Sequence, residues 1–232
     1  MKYEIICHHL RERVASGDSV LDAGSGPGTF AKVLLELGAR VTCLDLSPVQ
    51  LEACKRNAPG AEAYELGSIT DLGRYPSNSF DVTLALGGPL SYCFDQADRA
   101  LSELVRVTRP GATVGLSVMN LWGSLHRFFA AVLAVPLETN RHIIATGNLT
   151  REVNEGHECH MFRLDEFETL LIQAGLRDIE LLADGWVIPN DQVKTSDPGS
   201  DEWNMLFEAE LNASRESPGA GTHILAFTKA PE

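Results

Sequence analysis

The stretch Val20-Leu21-Asp22-Ala23-Gly24-Ser25-Gly26-Pro27-Gly28-Thr29-Phe30 reads as a buried strand that enters a glycine turn and leaves it as a helix, an order that commits the chain to strand–helix–strand architecture. Glycines at alternate positions let the backbone bend sharply and let a ligand approach it, while the first amides of the following helix stay free to donate. The next segment places Phe30, Val33, Leu34 and Leu37 on one face and stops at Gly38, where a left-handed cap fits. A second strand, Val41 to Asp45, then ends on a carboxylate roughly twenty positions beyond the first glycine, where a βαβ nucleotide unit accepts both ribose hydroxyls.

Two ligand classes fit that geometry: nicotinamide or flavin dinucleotides, and S-adenosylmethionine. The glycines are spaced G-x-G-x-G, and Thr29 and Phe30 occupy the stretch where the dinucleotide fingerprint carries its third glycine. At this point the chain resembles the class I S-adenosylmethionine-dependent methyltransferases. Leu21 to Gly28 is similar to their first motif and Asp45-Leu46-Ser47-Pro48 to their second. Glu65 to Leu72 resembles the third, Asn78 to Leu86 the strand leading into the fourth, and Leu104 to Ala112 the fifth. The resemblance implies a Rossmann-like α/β fold with a seven-stranded, mostly parallel sheet, an antiparallel last strand and helices on both faces. It also implies a cofactor set of Asp22, Gly24, Ser25, Gly26, Gly28, Asp45, Leu46, Ser68, Ile69, Leu86 and Gly87. In that set Asp45 holds the ribose, Asp22 acts near the ammonium group directly or through water, Leu46 and Ile69 sandwich adenine, and Gly87 approaches the methionine end. One position departs from the pattern: Ser68 stands where many members carry an Asp toward the adenine amino group. Asp71, three residues on, is expected to face solvent or cap a turn.

Composition narrows the partners. A chain of 232 residues, 44% hydrophobic and 22% charged, is long enough to bury a globular core. Its formal net charge of −13, with no basic stripe, argues against a nucleic-acid face. Cys7, Cys43, Cys54, Cys93 and Cys159 lack paired C-x-x-C spacing, which fits reduced thiols and a cytoplasmic location. Neither a signal peptide nor a membrane span is expected, because the apolar run Phe128 to Leu137 is too short to cross a bilayer and reads as a buried cap helix.

Alternating periods predict a short helix within 1–15, strands near 19–23, 40–45, 61–66, 80–86 and 112–118, and helices near 28–37, 48–57 and 95–107. Ser47, Pro48 and Gln50 form a helix start, and Asp165 with Glu168 repeats the device ahead of a helix that stops at Gly175 and feeds a strand at 176–183. A helix from Glu202 to Leu211 and a last strand, Thr222 to Thr228, complete the pattern. The whole chain, 1–232, reads as one domain with cover insertions at about 119–160 and 185–221, whose Trp122, Phe128, Phe129, Trp186, Trp203 and Phe207 line a pocket or seal the core.

Methyl transfer needs alignment and exclusion of water more than a catalyst, so sequence marks the cofactor better than the acceptor site. Gly87-Gly88-Pro89-Leu90-Ser91-Tyr92 replaces the Asn-Pro-Pro-Tyr type of segment used on nucleobases or glutamine, which offers Tyr92 or Ser91 to the acceptor. His157 and His126 are candidate general bases, and His157-Glu158-Cys159-His160 is read as structural, with no metal site assigned. The expected function is transfer of a methyl group from S-adenosylmethionine, leaving S-adenosylhomocysteine, to a small organic molecule, at oxygen first and at nitrogen or carbon otherwise. A protein or RNA substrate, and a role in binding without catalysis, are the alternatives.

Overall fold

The computed structural model describes residues 2–151, 158–185 and 199–232. Helix α1 (Lys2–Arg13) leads into β1 (Ser19–Ala23), α2 (Thr29–Glu36), β2 (Arg40–Asp45), α3 (Pro48–Asn57), β3 (Ala63–Leu66) and β4 (Phe80–Ala85). Two 3-10 turns, Pro89–Tyr92 and Phe94–Gln96, precede α4 (Ala97–Val107) and β5 (Thr108–Met119). A cover of α5 (Leu121–Arg127), α6 (Phe129–Ala134), α7 (Leu137–Thr146) and the ribbon β6 (Asn148–Leu149) with β7 (Cys159–His160) follows. The chain then returns through α8 (Leu164–Gln173), β8 (Arg177–Ala183), α9 (Asp201–Glu216) and β9 (His223–Lys229).

The large sheet runs β3-β2-β1-β4-β5-β9-β8, with β9 antiparallel to both neighbours. The order reverses at β1, so the carboxyl ends of β1 and β4 diverge there and open a crevice. The central strands β1, β2, β4, β5 and β9 are buried on both faces over most of their length, and their alternate residues divide between two cores, whereas the edge strands β3 and β8 are partly open. On β1, Val20 packs beneath α1–α3 with Ile5, Leu10 and Leu34, while Leu21 joins Leu101, Leu104, Phe167 and Leu171 under α4 and α8. β9 repeats this, with Leu225 and Phe227 on the first face and Ile224 and Ala226 on the second.

The expected strands and helices are all present, and the differences have local causes. Ser47 caps α3 by accepting from the Gln50 amide at 3.4 Å, but the Ser47 amide goes to Asp45 instead of to Gln50. At α8 the start lies earlier than the expected Asp165: Arg163 is the N-cap, and its amide donates to Glu166 at 3.2 Å, because Glu166, not Glu168, stands three residues beyond it. The expectation of a buried helix over Phe128 to Leu137 is corrected. α6 covers only part of it, and Phe128, Phe129, Leu133 and Leu137 are each more than half exposed, because Leu121, Ile143, Cys159 and Met161 already fill the small core beneath the cover. No helix among the described residues is long and apolar enough to cross a membrane.

One buried group couples this packing to pH. His9 on α1 is fully buried against Phe227, with Arg13 over the same ring. Burial and the Arg13 charge lower its pKa from 6.5 to about 4. The unfolded chain therefore binds a proton between those values that the folded chain refuses, so stability is full above pH 6.5 and falls as pH drops toward 4. We expect His9→Leu to flatten that limb of a plot of Tm against pH, removing a dependence worth up to about 3 kcal/mol. An unchanged slope would place the titrating group elsewhere.

Candidate functional site: a glycine turn closed onto a strand-end carboxylate

The turn after β1 is built as a loop held by its neighbour strand. The amides of Gly24 and Ser25 both donate to the Leu44 carbonyl, at 2.7 and 3.0 Å. The Gly26 amide donates to Asp45 Oδ2 at 2.8 Å, and the Ser47 amide donates to Asp45 Oδ1 at 2.8 Å. One carboxylate thus ties the loop, the end of β2 and the start of α3 together. Each of its oxygens keeps a further acceptor site, so the group remains able to take ribose hydroxyls.

The three glycines have different reasons. All have positive φ, but a Cβ on Gly24 would stand 2.5 Å from Pro89 Cγ and one on Gly28 would stand 2.9 Å from the Cys54 sulfur. Those two are glycine because protein packs against them. A Cβ on Gly26 would meet nothing within 4 Å, and the same holds at Gly87, so these positions face open space.

Beneath the loop, Asp22 is fully buried and neither carboxyl oxygen has a hydrogen-bond partner of good geometry. Burial, with the Cys54 thiol and the Asp45 charge nearby, raises its pKa to about 7, although the Ala31 amide offsets part of the effect. A buried orphan carboxyl beside a ligand loop suits a cationic ligand group, which would supply the missing partner. Ser25 is buried at the same level.

The rim expected to meet adenine is apolar. Leu46 is 73% exposed, with Val49 and Leu66 also open, whereas Ile69 lies in the core. Ser68 Oγ accepts from the Thr70 amide at 3.2 Å and lies 2.7 Å from the Thr70 hydroxyl. Asp71 is exposed and accepts from the Gly73 amide, capping a turn as its sequence position suggests. We expect Ser68→Ala to weaken binding of S-adenosylmethionine only about fivefold, a single neutral hydrogen bond's share, and Asp71→Ala to leave it unchanged. The reverse pattern in a calorimetric titration would show that the motif is read in the wrong register.

At the turn expected to meet the methionine end, the amides of Gly87 and Gly88 both donate to Ser117 Oγ, which fixes the turn after β4 onto β5. Leu86 is buried just before it. Ser91 is buried and accepts from the Met119 amide, while Tyr92 is 44% exposed and burial of its inner edge raises its phenol pKa. Of the candidate bases, His126 is exposed near the end of α5 and His157 lies outside the described residues, as does Trp186. His160 is a bonded structural histidine, its two nitrogens each 2.8 Å from Asn148 Oδ1 and Glu166 Oε1. Among the described residues, no group of three or more His, Cys, Asp or Glu gathers to hold a metal.

A cavity of about 650 Å³ opens elsewhere, between the start of α4 and α8, lined by Phe94, Asp98, His160, Phe162 and Glu166 among others. None of the glycine-turn residues reaches it, nor does Asp45. The sequence did not single out His223 and Asp184, which β9 and β8 bring to the Gly88 turn: His223 Nδ1 lies 3.1 Å from Asp184 Oδ2.

Comparison with known proteins agrees with this geometry. Residues 21–116, from β1 through most of β5, match the family described as Methyltransferase domain. The malonyl-[acyl-carrier protein] O-methyltransferase of Serratia marcescens is 37% identical over 135 residues, 58% of this chain and 50% of that protein. The ubiquinone biosynthesis O-methyltransferase of Xanthomonas campestris pv. campestris is 30% identical over 122 residues, 48% of each chain. The chain thus spans about half the length of the curated relatives it matches. An S-adenosylmethionine dependent methyltransferase from Mesorhizobium loti shares the fold, with a TM-score of 0.64 at 18% identity over 98% of this chain and 97% of that one. The glycine turn, the strand-end carboxylate and the sheet order agree with these matches: residues 21–116 carry a Methyltransferase domain, and the chain has the fold of the S-adenosylmethionine-dependent methyltransferases.

Proposed function

We propose that the chain transfers a methyl group from S-adenosylmethionine to a small organic acceptor, with oxygen as the accepting atom. The observation that carries the reading is the carboxylate of Asp45 bonded to the Gly26 loop, above an orphaned and buried Asp22. The names of the relatives, both O-methyltransferases, support oxygen. The cysteines, none of them disulfide-bonded, suit a reducing, cytoplasmic setting.

The residues fit this ligand as follows. Asp45 would hold the ribose hydroxyls, Leu46 and Ile69 would flank adenine, and Gly26 and Gly87 would let backbone approach it. Asp22 would face the ammonium group directly or through water and become ionised as it does so. When bound, the sulfonium supplies a methyl group already activated for attack, so the protein's work is to align the acceptor and exclude water. The cover formed by α5–α7 and the β6–β7 ribbon stands after β5, where it can close over an acceptor at the strand ends. Tyr92 on the turn after β4 and His126 on α5, together with His157, are the proposed acceptor contacts.

The test is incubation with methyl-labelled S-adenosylmethionine and a set of small hydroxyl, carboxyl and amine compounds, with purified RNA and protein beside them. Label in the small-molecule fraction, matched by release of S-adenosylhomocysteine, is the expected result. Label confined to macromolecules would contradict the small-molecule reading, and binding with no transfer to any acceptor would leave a binding protein.

A further inference from the structure

Two residues far apart in sequence meet where the acceptor should lie. β9 starts at His223, which pairs with Met119 at the end of β5, and β8 ends one residue before Asp184. The His223 ring also packs on the turn after β4: its Nε2 is 3.6 Å, and its Cδ2 3.7 Å, from the point where a Cβ on Gly88 would stand. Gly88 belongs to the turn that Ser117 fixes at the methionine end of the proposed cofactor site. Nδ1 of the same ring lies 3.1 Å from Asp184 Oδ2. One nitrogen edge therefore faces a carboxylate and the other the turn.

The pair is held rigidly. Asp184 is 1% exposed, its Oδ1 accepts from the His223 amide and its Oδ2 from the Thr222 hydroxyl, both at 2.9 Å. A Cβ on Gly221 would stand 2.5 Å from Asp184 Oδ1, and one on Gly123 would stand 1.8 Å from the Gly221 carbonyl, so the Gly221 backbone closes on the carboxylate and the Gly123 backbone closes on Gly221. The buried amide of Asn120, at the end of β5, donates to the carbonyls of Gly219 and Gly221 at 2.7 Å each. This bracing costs two glycines and a buried Asn, more than packing one histidine at a strand end requires. A site that must keep a ring in a fixed orientation uses such supports.

We propose that His223 is the general base of the reaction, that Asp184 positions it, and that the acceptor is consequently a hydroxyl compound that arrives protonated, a phenol, and not a carboxylic acid. This rests on the O-methyl-transfer reading above and goes further, to the substrate class. A carboxylate is ionised at neutral pH and attacks without help, whereas a phenol, with a pKa near that of tyrosine, must lose its proton as it attacks. In the step, His223 Nε2 takes the phenolic proton while the oxygen's electron pair forms the O–CH3 bond and the electron pair of the broken S–CH3 bond returns to sulfur. The resulting imidazolium is paired with Asp184, which stabilises it.

The experiment combines nitrogen NMR of the histidine rings with kinetics on full-length chain, using 4-methylphenol and catechol as one probe series and benzoate and monoethyl malonate as the other. His223→Gln assigns the ring. We expect the wild-type ring to carry its proton on Nδ1 in the neutral form, Asp184→Asn to disturb that preference, and S-adenosylhomocysteine to shift the Nε2 resonance. We expect methylation of the phenols and not of the carboxylates. His223→Gln should lower kcat by about a hundredfold or more and Asp184→Asn by about tenfold or more, with the Kd for S-adenosylmethionine within about twofold of wild type in both. Thermal melting checks that each variant folds. Should Asp184→Asn fail to fold, the NMR of wild type and the kinetics of His223→Gln still decide. The proposal is overturned by turnover of the carboxylates, by full activity of His223→Gln, by a ring that does not respond to S-adenosylhomocysteine, or by cofactor binding with no methylation of either series. Failure of wild type to bind S-adenosylmethionine at all would instead overturn the family's function for this chain.

Discussion

Asp45→Ala is expected to lower affinity for S-adenosylmethionine by at least about tenfold, because two hydrogen bonds to a charged acceptor disappear from the ribose. The loss should exceed that of an ordinary contact residue for a structural reason. Asp45 also accepts from the amides of Gly26 and Ser47, so removing it releases the glycine loop and uncaps the start of α3 before any ligand arrives. Asp45→Asn separates the two effects. Its side-chain oxygen can still accept from one amide, but its NH2 faces the other, so loop order falls by half while the charge vanishes. Calorimetry on both variants, with thermal melting beside it, should show alanine worse than asparagine in both readouts. Equal and undiminished affinity would remove Asp45 from the site.

The second large effect is expected at Asp22. Its folded pKa, about 7, lies above the ordinary value of 3.8, so the folded chain holds a proton that the unfolded chain releases between those values. Stability from this group is therefore greatest at low pH and declines as pH rises toward 7, the opposite sense to the usual salt-bridged carboxylate. An ammonium group brought near favours the ionised form, so binding of S-adenosylmethionine should strengthen from pH 5.5 to 7.5 and release a proton over that interval. Asp22→Asn removes the buried charge. It should raise Tm at pH 8, flatten the pH dependence of binding and reduce affinity by about tenfold. Titration in two buffers of different ionisation enthalpy counts the proton. A variant that binds as tightly as wild type with the same pH slope would show that Asp22 does not meet the ligand.

Much of this was legible in the chain because its signals are local. The short apolar runs at Val20-Leu21 and Leu84-Ala85, next to turn residues, mark buried strands, and Ser47-Pro48 marks the helix start that puts Asp45 at a strand end. The glycine turn is legible for the same reason, since φ above zero at Gly24, Gly26 and Gly28 is a property of single residues. What each glycine faces is not local: Pro89 and Cys54, which fill the space beside Gly24 and Gly28, come from distant segments. The exposure of Phe128 and Phe129 was hidden because an apolar run says that a side chain avoids water, not whether a core has room for it. The Asp184–His223 pair was hidden by topology, since only the antiparallel return of β9 between β5 and β8 brings the two residues together.

Calorimetric titration of the chain with S-adenosylmethionine, with NAD as the control ligand, tests the function most directly. Micromolar binding of S-adenosylmethionine with no heat from NAD is expected, because the G-x-G-x-G turn and its orphaned Asp22 suit a nucleoside carrying an ammonium group and not a pyrophosphate. Binding of NAD, or no binding of S-adenosylmethionine by a folded chain, would contradict it.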